Sequence, residues 1–201
     1  MKRLIGLILV TVAGMFAATF AQATPITLGV ALNGPSEAPP NDSPGTGTAI
    51  IIIDADAHTL EIHVAFSGLV GNTTASHIHC CTATPLTSTA MVATAVPTFP
   101  GFPLGVTSGT YDMTFDTLDL ATYNPAFVSA HGGTAASAEA VLFAGILAGE
   151  AYLNIHTDFK PGGEIRGFLV PEPATLALLG IALAGVGVAR RRTRAEPGAR
   201  T

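Results

Sequence analysis

The sequence predicts an all-β fold, an antiparallel β-sandwich of immunoglobulin-like or related topology with one short helix. Three observations predict it. Residues 59–66 and 151–169 alternate apolar and polar side chains with the two-residue period of a pleated strand. The chain carries 22 Gly and 14 Pro, enough turn formers to separate many short strands. Within the central part of the chain only residues 135–148 show helical spacing, through Val141, Leu142, Gly145 and Ile146, with a stop at Gly149. Trp is absent, so the core must be built from Val, Ile, Leu, Phe and Ala.

The elements follow in order. Residues 26–32 read as a first strand, and 33–47 are too rich in Pro and Gly to be regular. Glu37 and Asp42 in that loop are within reach of a cation but read as solvated acids. Residues 48–53 form a strand whose four consecutive isoleucines predict burial on both faces. Asp54 and Asp56 mark an acidic turn, because the other ligands of a calcium loop are missing. In 59–66, Leu60, Ile62, Val64 and Phe66 face in and His63 faces out. Residues 73–79 place His77 and His79 on one face and Ile78 on the other, with Cys80 and Cys81 next. Residues 82–107 form a long segment punctuated by Pro85, Pro97, Pro100 and Pro103; segments of this kind are functional, mobile, or hide a short element. Residues 108–115 read as a strand with Tyr111, Met113 and Phe115 on one face, and 118–128 as irregular. In the final hairpin, Ala151, Leu153 and Ile155 oppose Tyr152, Asn154 and His156. Lys160-Pro161-Gly162-Gly163 reverses the chain, and Ile165 and Leu169 then oppose Glu164, Arg166 and Phe168.

The two ends have a different character. Residues 1–23 have the anatomy of a secretory signal: Lys2-Arg3, an apolar run, and Ala21-Gln22-Ala23 as a small-x-small cleavage site. The mature domain is placed at 24–170. Residues 174–189 are uncharged and apolar, about 24 Å long as a helix, and slightly short of a usual membrane span. The basic tail, 190–201, should remain cytoplasmic and so place the domain outside. Seven of the nine basic residues lie in these ends. Between 24 and 170 only Lys160 and Arg166 stand against twelve acids, a balance of −10. Such a surface repels phosphate backbones, which excludes nucleic acid as a partner; it reads first as a means of solubility, with cations or cationic partners as the functional alternative.

The candidate chemistry centres on His77, His79 and His156. If the fold brings the strands together, three imidazoles suit zinc or copper; the competing reading is hydrogen bonding between strands. No general base converges on the cluster, and no nucleophile elbow, phosphate loop or dinucleotide fingerprint is present. Cys80 and Cys81 leave three readings open: a reducible disulfide clip, paired soft-metal ligands, or two free thiols. Glu164 and Arg166 read as a structural ion pair.

The segments HIH, YLNIHT and PGGEIRG, with LNGPSEAPPNDSPGTGTA and FSGL upstream, closely resemble the CHRD domain, a module named from chordin and also found in exported bacterial proteins. The resemblance covers residues 27–169 and implies an all-β module with no assigned enzymatic activity. Pro171-Glu172-Pro173, the apolar helix 174–189 and Arg190, Arg191 and Arg192 together resemble the PEP-CTERM sorting signal (residues 171–201). That resemblance implies processing near 171–173 by an exosortase-type membrane enzyme, export through the inner membrane of a Gram-negative bacterium, and at least transient membrane attachment through the C-terminal helix. The alternative for the tail is a permanent anchor. The resulting expectation is a non-enzymatic cell-surface or extracellular-matrix protein that binds a protein or polysaccharide partner. Its rivals are a copper or zinc protein, or metal-dependent enzyme, built on the histidines, and a purely structural matrix component.

Overall fold

The computed structural model describes residues 24–171; the predicted signal peptide at 1–23, the sorting residues Glu172, Pro173, Arg190, Arg191 and Arg192, and the apolar helix 174–189 lie outside these residues. Among the described residues no helix is long and apolar enough to cross a membrane. The described chain is predominantly antiparallel β. Its strands are β1 (Ile26–Asn33), β2 (Thr46–Asp54), β3 (Thr59–Ser67), β4 (Thr73–Cys80), β5 (Met91–Val92), β6 (Gly109–Asp116), β7 (Ala151–Thr157) and β8 (Ile165–Phe168); its helices are α1 (Pro125–Ala130) and α2 (Ala135–Leu147).

All eight strands belong to one curled sheet in the order β5-β4-β7-β8-β1-β2-β3-β6. The joint between β8 and β1 is a single residue pair, Arg166 with Asn33. Elsewhere the ladders are long: β1 with β2, β2 with β3, and β3 with β6 pair over eight or nine residues each. The joint divides the sheet into two four-stranded halves, and one apolar cluster draws side chains from both. Leu28, Ile51, Leu60 and Ile62 come from one half, and Ile78, Leu153, Ile155 and Ile165 from the other.

The alternation in β3 is observed as read: Leu60, Ile62, Val64 and Phe66 are buried, and His63 is partly exposed. The isoleucine run departs from expectation. Ile51 and Ile53 are buried, but Ile50 is 50% exposed and Ile52 only half-buried, because among the described residues no element packs over Ile50 on the outer face of this half. The turn after β2 is closed by Asp54 Oδ1, which accepts the N–H groups of Asp56 and Ala57 at 2.9 Å.

Helix α2 begins at Thr134, whose side chain accepts from the Ser137 N–H while the Ser137 hydroxyl serves the Thr134 N–H, a reciprocal cap. Gly149 ends the turn after it, at φ 71°, where a Cβ is disfavoured. The helix packs Ala138, Leu142 and Ile146 into the core and reaches the β2–β3 turn through Glu139, which hydrogen-bonds His58 and Thr117. The segment read as irregular contains α1, with Asn124 as its cap and Pro125 in its first turn.

Residues 82–107 explain the other half. This segment supplies β5 and then runs beside β4, where Thr94 Oγ1 and Thr98 Oγ1 take the N–H groups of Ile78 and Ser76 at 2.9 Å. Its earlier part reaches Arg166, which donates to the Ser88 carbonyl at 2.9 Å. As a result the second face of β4, β7 and β8 is also buried. Tyr152, Asn154 and Arg166 there are no more than 3% exposed.

Candidate metal centre

Strand pairing places the histidines. On β4 and β7, His79 is opposite Tyr152, His77 opposite Asn154, and Ala75 opposite His156, all on the face turned away from the core. The three rings form a nearly equilateral triangle, with centroid separations of 5.2 Å (His77–His156), 5.7 Å (His79–His156) and 5.9 Å (His77–His79). One ring nitrogen from each lies within 4.8 Å of the others.

Each imidazole spends its other nitrogen on a backbone carbonyl. His77 Nε2 meets Pro97 O at 2.7 Å, His79 Nδ1 meets Ala90 O at 2.9 Å, and His156 Nδ1 meets Pro161 O at 2.9 Å. A carbonyl oxygen can only accept, so the proton must sit on the nitrogen facing it. That fixes the tautomer of all three rings. The nitrogens left over, His77 Nδ1, His79 Nε2 and His156 Nε2, are buried lone pairs without a donor among the described residues. A ring oriented through its far N–H toward a carbonyl, with the near lone pair free, is the arrangement of a metal-ligating histidine. An ion about 2.0–2.1 Å from each nitrogen needs nitrogen–nitrogen separations of about 3.4 Å, so the three rings, whose ligand atoms lie within 4.8 Å of one another, would draw together on binding.

The electrostatics agree. Burial pushes His77 and His79 down to about 4, against the upward pull of their carbonyl partners, and the neighbouring His156 lowers both further. Burial lowers His156 as well. The cluster is therefore held neutral, the form that binds metal.

Around it lies a second layer. Tyr152 stacks on His79 at 4.8 Å and 7°. The Arg166 guanidinium lies over the Tyr152 and Phe168 rings at 4.6 and 5.3 Å and donates to the Ser36 carbonyl. Its ion-pair partner is Glu37, at 3.9 Å and almost fully buried. Burial raises the Glu37 carboxyl to about 7, against the opposing pull of Arg166, the Ala38 N–H and the Asn154 amide.

Two expectations about ionised residues are corrected here. Glu37 is not a solvated loop acid: the domain's buried guanidinium recruits it as counter-charge. Glu164 is not the partner of Arg166. It precedes β8, and its carboxylate accepts from Ser43 Oγ at 2.6 Å, Val70 N at 2.6 Å, Gly71 N at 3.1 Å and Thr157 Oγ1 at 2.7 Å. Burial alone would raise it, but these donors hold it below the usual carboxylate range. Cys80 and Cys81 are bonded to each other. Cys80 faces the core and α2, on the opposite side of β4 from His77 and His79, so the pair offers no thiolate to the cluster. Pro171 is exposed at the end of the described chain.

Comparison with known families decides where this architecture belongs: the CHRD domain matches residues 28–169. The chain belongs to the CHRD family. A second match, over residues 169–192, is the PEP-CTERM protein-sorting motif, which implies an exported protein handled by exosortase. Comparisons with curated proteins and with solved structures gave no match.

In this CHRD domain the residues that sequence reasoning left without a role are Asn154, Tyr152 and the long segment's carbonyls. Asn154 and Tyr152 share the period of His156, which was the available signal; the carbonyls of Ala90 and Pro97 leave no sequence trace. The neutral cluster makes a direct prediction. In an NMR titration of the metal-free protein, His77 and His79 should remain neutral down to about pH 4, while His63 should titrate above the ordinary histidine range because Asp112 sits 2.7 Å from its ring. With folded pKa values below the unfolded one, both buried rings contribute stability present above pH ~6.5 and lost as pH falls toward 4. Ordinary titration of His77 near pH 6.5 would contradict the burial of this face.

Proposed function

We propose that this CHRD protein holds one copper or zinc ion between His77, His79 and His156, and that the ion serves a non-enzymatic role. The observation that carries the reading is the pattern of nitrogens: three buried lone pairs converge, and each ring is pinned from behind by a carbonyl. Hydrogen bonding between strands does not account for it, because the nitrogens left over have no donor. The non-enzymatic part is supported by enclosure, since the three ligand nitrogens are shut off from solvent among the described residues.

The setting completes the proposal. The sorting motif supports residence at, or release from, the surface of a Gram-negative cell after removal of a signal peptide and transient anchoring by the C-terminal apolar helix. The acidic balance of 24–170 favours a cationic surface protein or cation-bridged polysaccharide as partner. The two halves of the curled sheet, sharing one core, are read as the two layers of a sandwich.

Metal analysis of the purified protein after reconstitution with copper or zinc tests the site. One ion per chain is expected. His77→Ala, His79→Ala and His156→Ala should each reduce occupancy at least tenfold with unchanged far-ultraviolet circular dichroism. Sub-stoichiometric uptake of both metals by the unaltered chain would dismiss the proposal.

A further inference from the structure

Five buried side-chain atoms among the described residues have no hydrogen-bond partner, and all five lie on one face: Glu37 Oε1, His77 Nδ1, His79 Nε2, Asn154 Oδ1 and His156 Nε2. The first and fourth are oxygens, and the others are lone-pair nitrogens by the tautomer argument above. A buried acceptor without a donor is destabilising unless something positive meets it. Five gathered together describe a place built for a cation.

Asn154 sits in the middle of this group. It is opposite His77 on the neighbouring strand, two residues from His156 on the same pleat face, and opposite Arg166 on the other side. Its orientation is fixed by neighbours. The backbone carbonyl accepts from Ser76 Oγ at 2.9 Å, and the side-chain amide donates to Glu37. Gly163 closes over it: a Cβ there would meet the amide nitrogen and oxygen at 2.5 and 2.6 Å and Glu37 Oε1 at 2.8 Å. With the NH₂ group committed to Glu37, the carbonyl oxygen is the free end.

We propose that Asn154 Oδ1 is the fourth ligand of the histidine site, giving a closed set of three nitrogens and one oxygen, with Glu37 holding the amide in the ligating orientation. This rests on the metal reading above and deepens it. A fourth protein ligand leaves no coordination position for water or substrate, which is the arrangement of a structural site rather than a catalytic one. The donor set is neutral, so the bound ion keeps its full charge, with Glu37 the carboxyl nearest the site and facing both Asn154 and Arg166. An amide oxygen also tilts preference toward Zn(II) or Cu(II) and away from Cu(I), which favours softer donors.

The test uses Zn(II) affinity and the visible spectrum of the Co(II)-loaded protein, comparing the unaltered chain with Asn154→Ala, Asn154→Asp and His156→Ala. Asn154→Ala should retain one Zn(II) per chain with affinity reduced about 10–100-fold and a shifted Co(II) ligand-field band. Asn154→Asp keeps an oxygen in place and adds charge, so it should bind at least as tightly as the unaltered chain, with its own altered band. His156→Ala should lose binding. Unaltered affinity and spectrum in Asn154→Ala, alongside loss in His156→Ala, would overturn the fourth ligand and leave the three-histidine site standing. Absence of binding by the unaltered chain would remove both. If Asn154→Ala does not fold, Asn154→Asp decides, and a Co(II) band identical to that of the unaltered chain counts against the proposal.

Discussion

Replacing Glu164 by alanine is expected to lower folding stability by about 4 kcal/mol, as much as truncating a large core side chain. Glu164 is fully buried, and its two oxygens collect four donors from three separate segments. Ser43 belongs to the loop after β1, Val70 and Gly71 to the connection between β3 and β4, and Thr157 to the end of β7. A hydrogen bond to a charged group contributes about 1.5–3 kcal/mol, and each buried donor left unpaired costs about 1–3 kcal/mol. The backbone N–H groups of Val70 and Gly71 cannot rotate toward another acceptor, so their loss sets the lower bound. Glutamine keeps one oxygen but turns an NH₂ toward existing donors, so Glu164→Gln should cost about half as much. The sign of the pH dependence follows from the depressed carboxyl: its stabilisation is present above the unfolded value near 4.5 and is lost as pH falls through the lower folded value. Urea denaturation at pH 7 and pH 4 measures both effects. A loss below 1 kcal/mol at pH 7 for Glu164→Ala would mean that the corner is held by something other than this carboxylate.

Much of the fold was legible because one face of each long strand is buried and the other is not. Leu60, Ile62, Val64 and Phe66 declare their face at a glance, and α2 declared both ends through its spacing and Gly149. Legibility failed where burial depends on what lies on top. The isoleucines of β2 look like a strand covered on both sides, but on the outer face Ile50 is half exposed among the described residues. Conversely, Tyr152, Asn154 and Arg166 look like the polar face of a one-sided strand and are almost completely enclosed. The cover comes from the loop carrying Ser36 and Glu37 and from the proline-punctuated segment 82–107, whose position is set by hydrogen bonds to β4 that no periodicity reveals. Helix α1 was missed although Asn124-Pro125 carries both a cap and a first-turn proline.

The same distinction applies to the site. Strand parity was enough to put His77 and His79 on one face and to mark His156 as a third imidazole; the β4–β7 pairing that brings His156 beside them came from the structure. Parity could not show the carbonyls behind the rings, because every residue has one. Charge pairing was misjudged for a similar reason. Glu164 and Arg166 are two apart in sequence, but Glu164 lies before the strand begins and turns into a corner of its own. Arg166 instead finds Glu37, 129 positions earlier, because a guanidinium at 3% exposure must be matched by a charge that reaches it from above.

The second large effect is expected at the contact between α2 and the Cys80–Cys81 disulfide. Gly145 stands in the helix where alanine would normally be preferred by about 1 kcal/mol. Its reason is proximity: a Cβ there would overlap Cys80 Sγ and lie 2.8 Å from Cys81 Sγ. Helix α2 would have to withdraw from β4, loosening Leu142 and Ile146 in the core. Overpacking of this kind costs about 1–3 kcal/mol or more, enough to outweigh the helical gain, so Gly145→Ala should be destabilising by about 2 kcal/mol. A double-mutant cycle isolates the cause. In a Cys80→Ala, Cys81→Ala background both sulfurs are gone, and Cys81 Cβ is already at an ordinary 3.7 Å. There Gly145→Ala should be neutral or stabilising, giving a coupling of about 2–3 kcal/mol by urea denaturation. An equal cost in both backgrounds would place the requirement for glycine elsewhere in the helix. The expected coupling would assign the disulfide a packing role on the core side of β4, the side opposite the histidines, and so separate the chemistry of the two faces of one strand.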